Sequence, residues 1–214
     1  MPRHPRVQDR ADSQCWTTFV RNHAKAVLAC DFFVTVTAKF QILYVLVIME
    51  IGSRQITHFN VTEHPTSDWT LQQFREAIQE NETRRFLIHD RDSIYSADLD
   101  QAVKAMGMEV LKTPARAPTA NAYCERLIGT IRRECLDCMI PLNESHLRRI
   151  LIEWVAHYNK GRPHSSLGPG IPDSSVSVLN AQHSRHQLPA GHRVVAKSVL
   201  GGLHHEYQIV QRAA

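Results

Sequence analysis

Two strongly apolar runs, residues 26–37 (AVLACDFFVTVT) and 41–52 (QILYVLVIMEIG), lie only three residues apart, and this constrains the fold more than any other feature of the chain. Both are dense in Val, Ile, Phe and Thr, the residues that fit a pleated surface. The link at 38–40 is too short for a parallel crossover, so the two runs are expected as an antiparallel hairpin. The second is almost wholly apolar and is expected as a central strand covered on both faces. Residues 54–62 (RQITHFNVT) alternate after a turn at Gly52-Ser53 and read as a third strand.

Beyond this meander the pattern changes period. Trp69, Phe74, Ala77 and Ile78 recur at helical spacing over 66–79, with Thr66 or Ser67 as the cap. A short strand at 85–90 (RFLIHD), a helix at 97–106 stopped by Gly107, and a strand at 108–113 follow. A long helix is expected over 119–139, broken by Pro141, and another over 144–159. Strands followed by β/α alternation predict an α/β fold: a mixed sheet of about five strands with helices on both faces. The Ser-, Pro- and His-rich stretch 173–190 reads as a linker, and 191–214 as a small C-terminal β-hairpin. Residues 1–14 are polar and basic and are expected as a disordered tail, which leaves 15–172 as the core.

Hydrophobic residues make up 43% of the chain and charged residues 21%, which excludes a disordered polymer, a coiled coil and a collagen-like fibre. The longest apolar run, 42–49, is far short of the roughly 20 residues needed to cross a bilayer, and no secretory h-region is visible. Five cysteines do not read as a disulfide framework and fit a reducing cytoplasm. Charge is uneven: residues 1–110 carry 12 Lys and Arg against 14 Asp and Glu, and residues 111–214 carry 13 against 7. A basic half of this kind suits a polyanionic partner, although a solvated surface would look the same.

Three carboxylates occupy unusual places. Asp31 interrupts the first apolar run, where an ionised group is costly unless it is paired or metal-bound. Asp90 closes a strand, where open sheets place ligand groups, with Asp92 as its rival. Glu125 lies in the first turns of the long helix. Singly, each has an ordinary explanation: an outward strand residue or an arginine partner, a turn acid, an exposed helix residue. Together, with the strand acids on neighbouring strands and the helix across their ends, they form an acid cluster whose repulsion divalent cations relieve. All-oxygen ligands suit Mg²⁺ or Mn²⁺.

Four stretches then carry a specific resemblance: ACDFF around Asp31, LIHDRD around Asp90, NAYCERLIGTIRRE around Glu125, and HYNKGRPHSSLGPGIP. In this order the chain resembles the retroviral-integrase-like catalytic core of DDE transposases found in bacterial insertion sequences. Thirty-four residues separate Asp90 from Glu125, close to that family's spacing, whereas Asp92 leaves 32, so Asp90 is chosen. The resemblance implies an RNase-H-like fold and metal-dependent DNA strand cleavage and strand transfer. It also implies catalytic, metal-holding roles for Asp31, Asp90 and Glu125 and the use of two Mg²⁺ or Mn²⁺ ions. The implied partners are DNA element ends and target DNA, with a homo-oligomer as the working form. No membrane, organic cofactor or covalent protein–DNA intermediate is implied, and the expected location is the bacterial cytoplasm, with the nucleoid. The alternatives are a hydrolytic nuclease on the same fold, or a non-catalytic DNA-binding or dimerisation remnant of a transposase.

Lys112, Arg116, Arg126, Arg132, Arg133 and Arg162 are the candidate phosphate contacts, and Asn121 either caps the long helix or touches a base. Cys135-x-x-Cys138 with His146 lacks a fourth ligand, which favours core packing over zinc.

Overall fold

In the computed structural model the two apolar runs form β1 (Val27–Val36) and β2 (Ile42–Glu50), paired antiparallel from Leu28↔Glu50 to Val36↔Ile42. The structure describes residues 16, 18–78, 84–113, 121–168, 170–173, 188 and 190–212, which divide into two compact units between Glu144 and Ser145.

In the first unit, β3 (Ile56–Thr62) pairs antiparallel with β2, and β4 (Phe86–His89) and β5 (Glu109–Lys112) add in parallel on the other side of β1. The strand order is β3-β2-β1-β4-β5. The middle of the sheet is therefore β1, and the more apolar β2 is its inner neighbour. Asp31 made β1 look less buried than its place in the sheet requires. Helices α1 (Ser67–Ala77) and α2 (Ala97–Ala105) return the chain between parallel strands. Thr66 caps α1 by accepting from the Trp69 N–H, Ser96 caps α2 by accepting from Leu99 N–H, and Gly107 at φ 86° ends the turn after α2.

The alternation of β1 decides which residues meet the helices. Leu28 and Cys30 point to one face and join Leu46, Ile48, Leu87, Phe74 of α1 and Leu99 and Val103 of α2 in one core. Fully burying a side chain such as Phe74 contributes roughly 1.5–3 kcal/mol. Asp31 and Phe33 point to the opposite face, where α3 (Ala122–Glu134) lies with Leu127 and Ile131 buried. Helix α3 stops at Glu134 because Cys135 leaves helical geometry at φ −139°, ψ −67°, and a short 3₁₀ turn, Leu136–Cys138, follows. The long helix expected through residue 139 is thus shorter, and Cys135 is buried while Cys138 is exposed. Among the described residues no three of His, Cys, Asp or Glu are gathered to ligate a metal.

The second unit holds most of α4 (Glu144–Lys160) and an antiparallel hairpin of β6 (His192–Val199) and β7 (His204–Gln211). His157 of α4 lies 2.9 Å from the Glu206 carboxylate and stacks on His204, and the Glu153 carboxylate accepts from the Leu200 N–H. These contacts seat the hairpin on α4. The expected 173–190 linker lies largely outside the described residues, and residues 1–14 lie wholly outside them. Among the described residues no helix is long and apolar enough to cross a membrane.

Candidate active site

Strand register brings the two aspartates together. Ala29 pairs with Ile88 between β1 and β4, and carrying that register two residues on sets Asp31 level with Asp90. Glu125 reaches the same region from the first turn of α3, whose own position is fixed at its start. There Asn121 is buried, and its amide donates to the Cys30 carbonyl at 3.1 Å. This tie joins the residue before Asp31 to the residue one turn before Glu125, whose N–H donates to the Asn121 carbonyl. Asn121 therefore neither caps α3 with its side chain nor is open to a base, and its buried Oδ1 has no hydrogen-bond partner. Arg54 adds a second brace, with its guanidinium 4.0 Å from the centre of the Tyr123 ring.

The acids act on one another. Asp31 is half-buried, and burial, followed by the charges of Asp90, Glu125 and Asp92, pushes its carboxyl up to about 7 from 3.8, against a 2.8 Å hydrogen bond from the Phe32 N–H that favours ionisation. Among the described residues no Lys, Arg or His pairs with Asp31, Asp90 or Glu125. The same negative field, added to burial, raises the thiols of Cys30 and Cys124 well above their ordinary range. Neither thiol is a nucleophile at neutral pH.

Asp31, Asp92 and Glu125 line a cavity of about 570 Å³, walled also by Phe33, Tyr44 and Arg132. Asp92 has a local task, since its Oδ1 accepts from the Ile94 N–H and the Ser93 hydroxyl and so shapes the turn. No hydrogen bond or ion pair among the described residues engages the Asp90 carboxylate, and its charge weighs more on Asp31 than that of Asp92. The donor set fits a hard divalent cation: carboxylate oxygens only, mutually repelling and, among the described residues, not ion-paired to a cationic side chain. As they stand, no three of these side chains converge to ligate one ion.

The basic candidates separate. Arg126, Arg132 and Arg133 are exposed on α3. Arg132 walls the acid cavity, donates to the Val34 carbonyl at 3.1 Å and lies over the Phe33 ring. Lys112 is instead held 2.6 Å from the Asp100 carboxylate, an ion pair the sequence reading missed. Arg162 belongs to the second unit, with its guanidinium over Tyr158. Arg116 lies outside the described residues.

Sequence reasoning also missed what lies beneath Asp90. His89, 1% exposed, faces α2, with Nε2 2.9 Å from Asp100 Oδ1 and Nδ1 2.6 Å from the Asp90 carbonyl oxygen. Tyr95 stacks on its ring at 4.3 Å and meets Cys30 Sγ through its hydroxyl. The available signal was Asp100 itself, an acid placed beside Leu99 and Val103 on the apolar side of its helix.

Residues 106–172 match the integrase core domain family, a stretch that contains Glu125 and lies beyond both aspartates. An uncharacterized protein of insertion element IS476 from Xanthomonas euvesicatoria is 34% identical over 83 residues, 39% of this chain and 24% of that protein. One of insertion element IS407 from Burkholderia multivorans is 39% identical over 86 residues, 40% of this chain and 31% of that protein. The InsD transposase of insertion element IS2 from Escherichia coli is 32% identical over 84 residues, 39% of this chain and 28% of that protein. The chain thus aligns with about a quarter to a third of the length of these relatives. Among solved structures, the catalytic domain of Mos1 mariner transposase superposes with a TM-score of 0.55 at 12% identity, covering 73% of this chain and 85% of that one. The catalytic core of BIV integrase gives 0.51 at 16%, covering 69% and 91%. That of HTLV-2 integrase, solved with magnesium, gives 0.52 at 14%, covering 69% and 93%. The fold is therefore the RNase-H-like one of integrase and transposase cores. Over residues 106–172 the chain is similar to integrase core domains, and its fold is that of integrase and transposase catalytic cores. Its sequence relatives named here are proteins of bacterial insertion elements.

Proposed function

We propose that this chain cleaves and joins DNA strands at Asp31, Asp90 and Glu125 with Mg²⁺ or Mn²⁺. One observation carries the reading: three elements distant in sequence bring acids together until Asp31 resists ionisation, with no ion-pair partner for them among the described residues. Asp31, Asp90 and Glu125 are the residues that would hold the ions, two in number. When bound, such ions activate an attacking water or DNA 3′-hydroxyl and stabilise the leaving oxygen of an in-line displacement. Arg132 at the cavity wall presents a guanidinium for a phosphate oxygen, and Arg126 and Arg133 extend a basic helix face for the strand's backbone. Phe33 and Tyr44 line the same cavity beside Arg132. Element ends and target DNA are the proposed substrates, and a homo-oligomer the proposed working form. Arg116 and Arg162 remain proposed contacts of the longer DNA path.

The test is strand transfer with 3′-hydroxyl oligonucleotides and Mg²⁺ or Mn²⁺. Asp31→Asn, Asp90→Asn and Glu125→Gln are each expected to lower joining by on the order of a thousandfold or more. Full activity in all three would end the mechanism. Branched products mark joining and linear ones hydrolysis. A wild-type chain that binds DNA but no Mn²⁺ would instead be a non-catalytic binding module.

A further inference from the structure

Asp90 follows the last residue of β4, so the strand ladder does not extend over it. Its neighbours are nevertheless fastened on both sides. The His89 carbonyl accepts from the Thr113 N–H at 3.2 Å, and Arg91 Nε donates to the Thr113 carbonyl at 3.1 Å. The Asp90 carbonyl faces His89 Nδ1 at 2.6 Å, and His89 Nε2 faces Asp100 Oδ1 at 2.9 Å. The second oxygen of Asp100 lies 2.6 Å from Lys112 Nζ. Lys112 is the register partner of His89 across β4 and β5, so the chain of contacts closes into a ring around one buried carboxylate. Among the described residues, then, the main chain around Asp90 is tied to the scaffold, while its carboxylate has no hydrogen-bond or ion-pair partner.

We infer that Asp100 is a positioning residue for Asp90, acting through His89 from the far face of the sheet and anchored there by Lys112. The need is physical. Like charges on Asp31, Asp92 and Glu125 repel the Asp90 carboxylate, and a residue just past a strand end has no ladder hydrogen bond of its own to resist that push. A buried carboxylate gripping the imidazole that holds the Asp90 carbonyl supplies the resistance from the other face of the sheet, without an ion pair to the Asp90 carboxylate itself. Tyr95 stiffens the same ring by stacking on it, and its hydroxyl reaches Cys30 Sγ, the residue before Asp31. Asp100 touches neither a metal ion nor a reacting atom in this scheme.

The inference rests on the acid-cluster reading, and the experiment separates the two. Mn²⁺ binding to the full chain is titrated by calorimetry or electron paramagnetic resonance, beside thermal melting and amide exchange of the metal-free protein. Asp90→Asn is expected to remove a Mn²⁺ site. Asp100→Asn, which keeps the shape but loses the charge, is expected to weaken Mn²⁺ binding about tenfold, as loss of an outer ligand partner commonly does. It should also speed amide exchange at residues 89–92 without metal. Asp100→Glu should recover part of the affinity, and the KM for DNA should hold while the Mn²⁺ needed for half-maximal joining rises. Lys112→Met, which leaves the buried carboxylate its histidine, should weaken Mn²⁺ binding a few-fold and decides the matter if Asp100→Asn fails to fold. Wild-type Mn²⁺ affinity in folded Asp100→Asn, or in Lys112→Met where that variant must serve, overturns the inference alone. Unchanged Mn²⁺ binding by Asp90→Asn overturns the acid-cluster reading and this inference with it.

Discussion

The two faces of the sheet treat a buried aspartate in opposite ways. On the α2 face, Asp100 is only 8% exposed and both its oxygens are engaged, one by His89 and one by Lys112. On the α3 face, Asp31 is half-buried among three further acids and has only the Phe32 N–H. A fold that can assemble an ion pair around one carboxylate has left the other, on the opposite face of the same sheet, without one among the described residues. On the proposed function the difference divides their tasks: Asp100, neutralised, braces the scaffold, and Asp31 is kept for a ligand that arrives from outside.

The sharpest way to break this comparison is to remove each charge and follow stability and chemistry separately. Asp31→Asn should abolish joining yet leave a folded chain. Asp100→Ala should unfold more readily, by about 1–3 kcal/mol in a urea titration, because it leaves a ring nitrogen of the buried His89 without its hydrogen-bond partner. Equal stability losses in the two variants would erase the distinction.

A smaller effect follows from the raised carboxyl of Asp31. In the folded chain it binds its proton up to about pH 7, and in the unfolded chain only to about 3.8. The native state therefore holds the extra proton between these values, and stability falls as pH rises through that window. The loss is on the order of 2–4 kcal/mol at pH 8, an upper range for a group still partly in water. Asp31→Asn should flatten this slope and melt above wild type at pH 8, whereas Mn²⁺ should raise the wild type and not the variant. Melting curves at pH 5 and pH 8 check both. A wild type equally stable at the two values would mean that Asp31 is not uncompensated.

Asp92 tests the choice between neighbours. Its carboxylate shapes the 92–94 turn and lines the cavity, while that of Asp90 lies level with Asp31. Asp92→Asn should keep joining within about tenfold of wild type, since Asn preserves the turn's acceptor oxygen. A thousandfold loss would move the second acid from position 90 to 92.

Much of this was legible in the sequence because it follows from local pattern. The alternation 27–36, the caps at Thr66 and Ser96 and the stop at Gly107 are written in neighbouring residues, and element ends fall within a few residues of expectation. The acids stood out because each broke an otherwise consistent run. What was not legible depends on partners far away in the chain. The Asn121 amide meets a carbonyl 91 residues distant, and the ion pair between Lys112 and Asp100 joins residues that no local pattern links. The end of α3 was misjudged for another reason: helical periodicity continues past Glu134, but the backbone at Cys135 does not.

The least of the expected effects concerns the cations of the two faces. Lys112 and Arg126 are equally basic in sequence and both partly open to water, but Lys112 is bound to Asp100 while Arg126 makes no ion pair among the described residues. A cation already neutralised on the scaffold releases no counterion when DNA binds, whereas a free one releases about one. Arg126→Ala should therefore lower the slope of log affinity against log salt by about one, with a few-fold loss of affinity at moderate salt. Lys112→Met should leave that slope unchanged even as it weakens Mn²⁺ binding. Fluorescence anisotropy with one labelled duplex across a salt series measures both. If Lys112→Met also lowers the slope, the lysine leaves Asp100 to meet phosphate, and the two faces are not divided between scaffold and substrate.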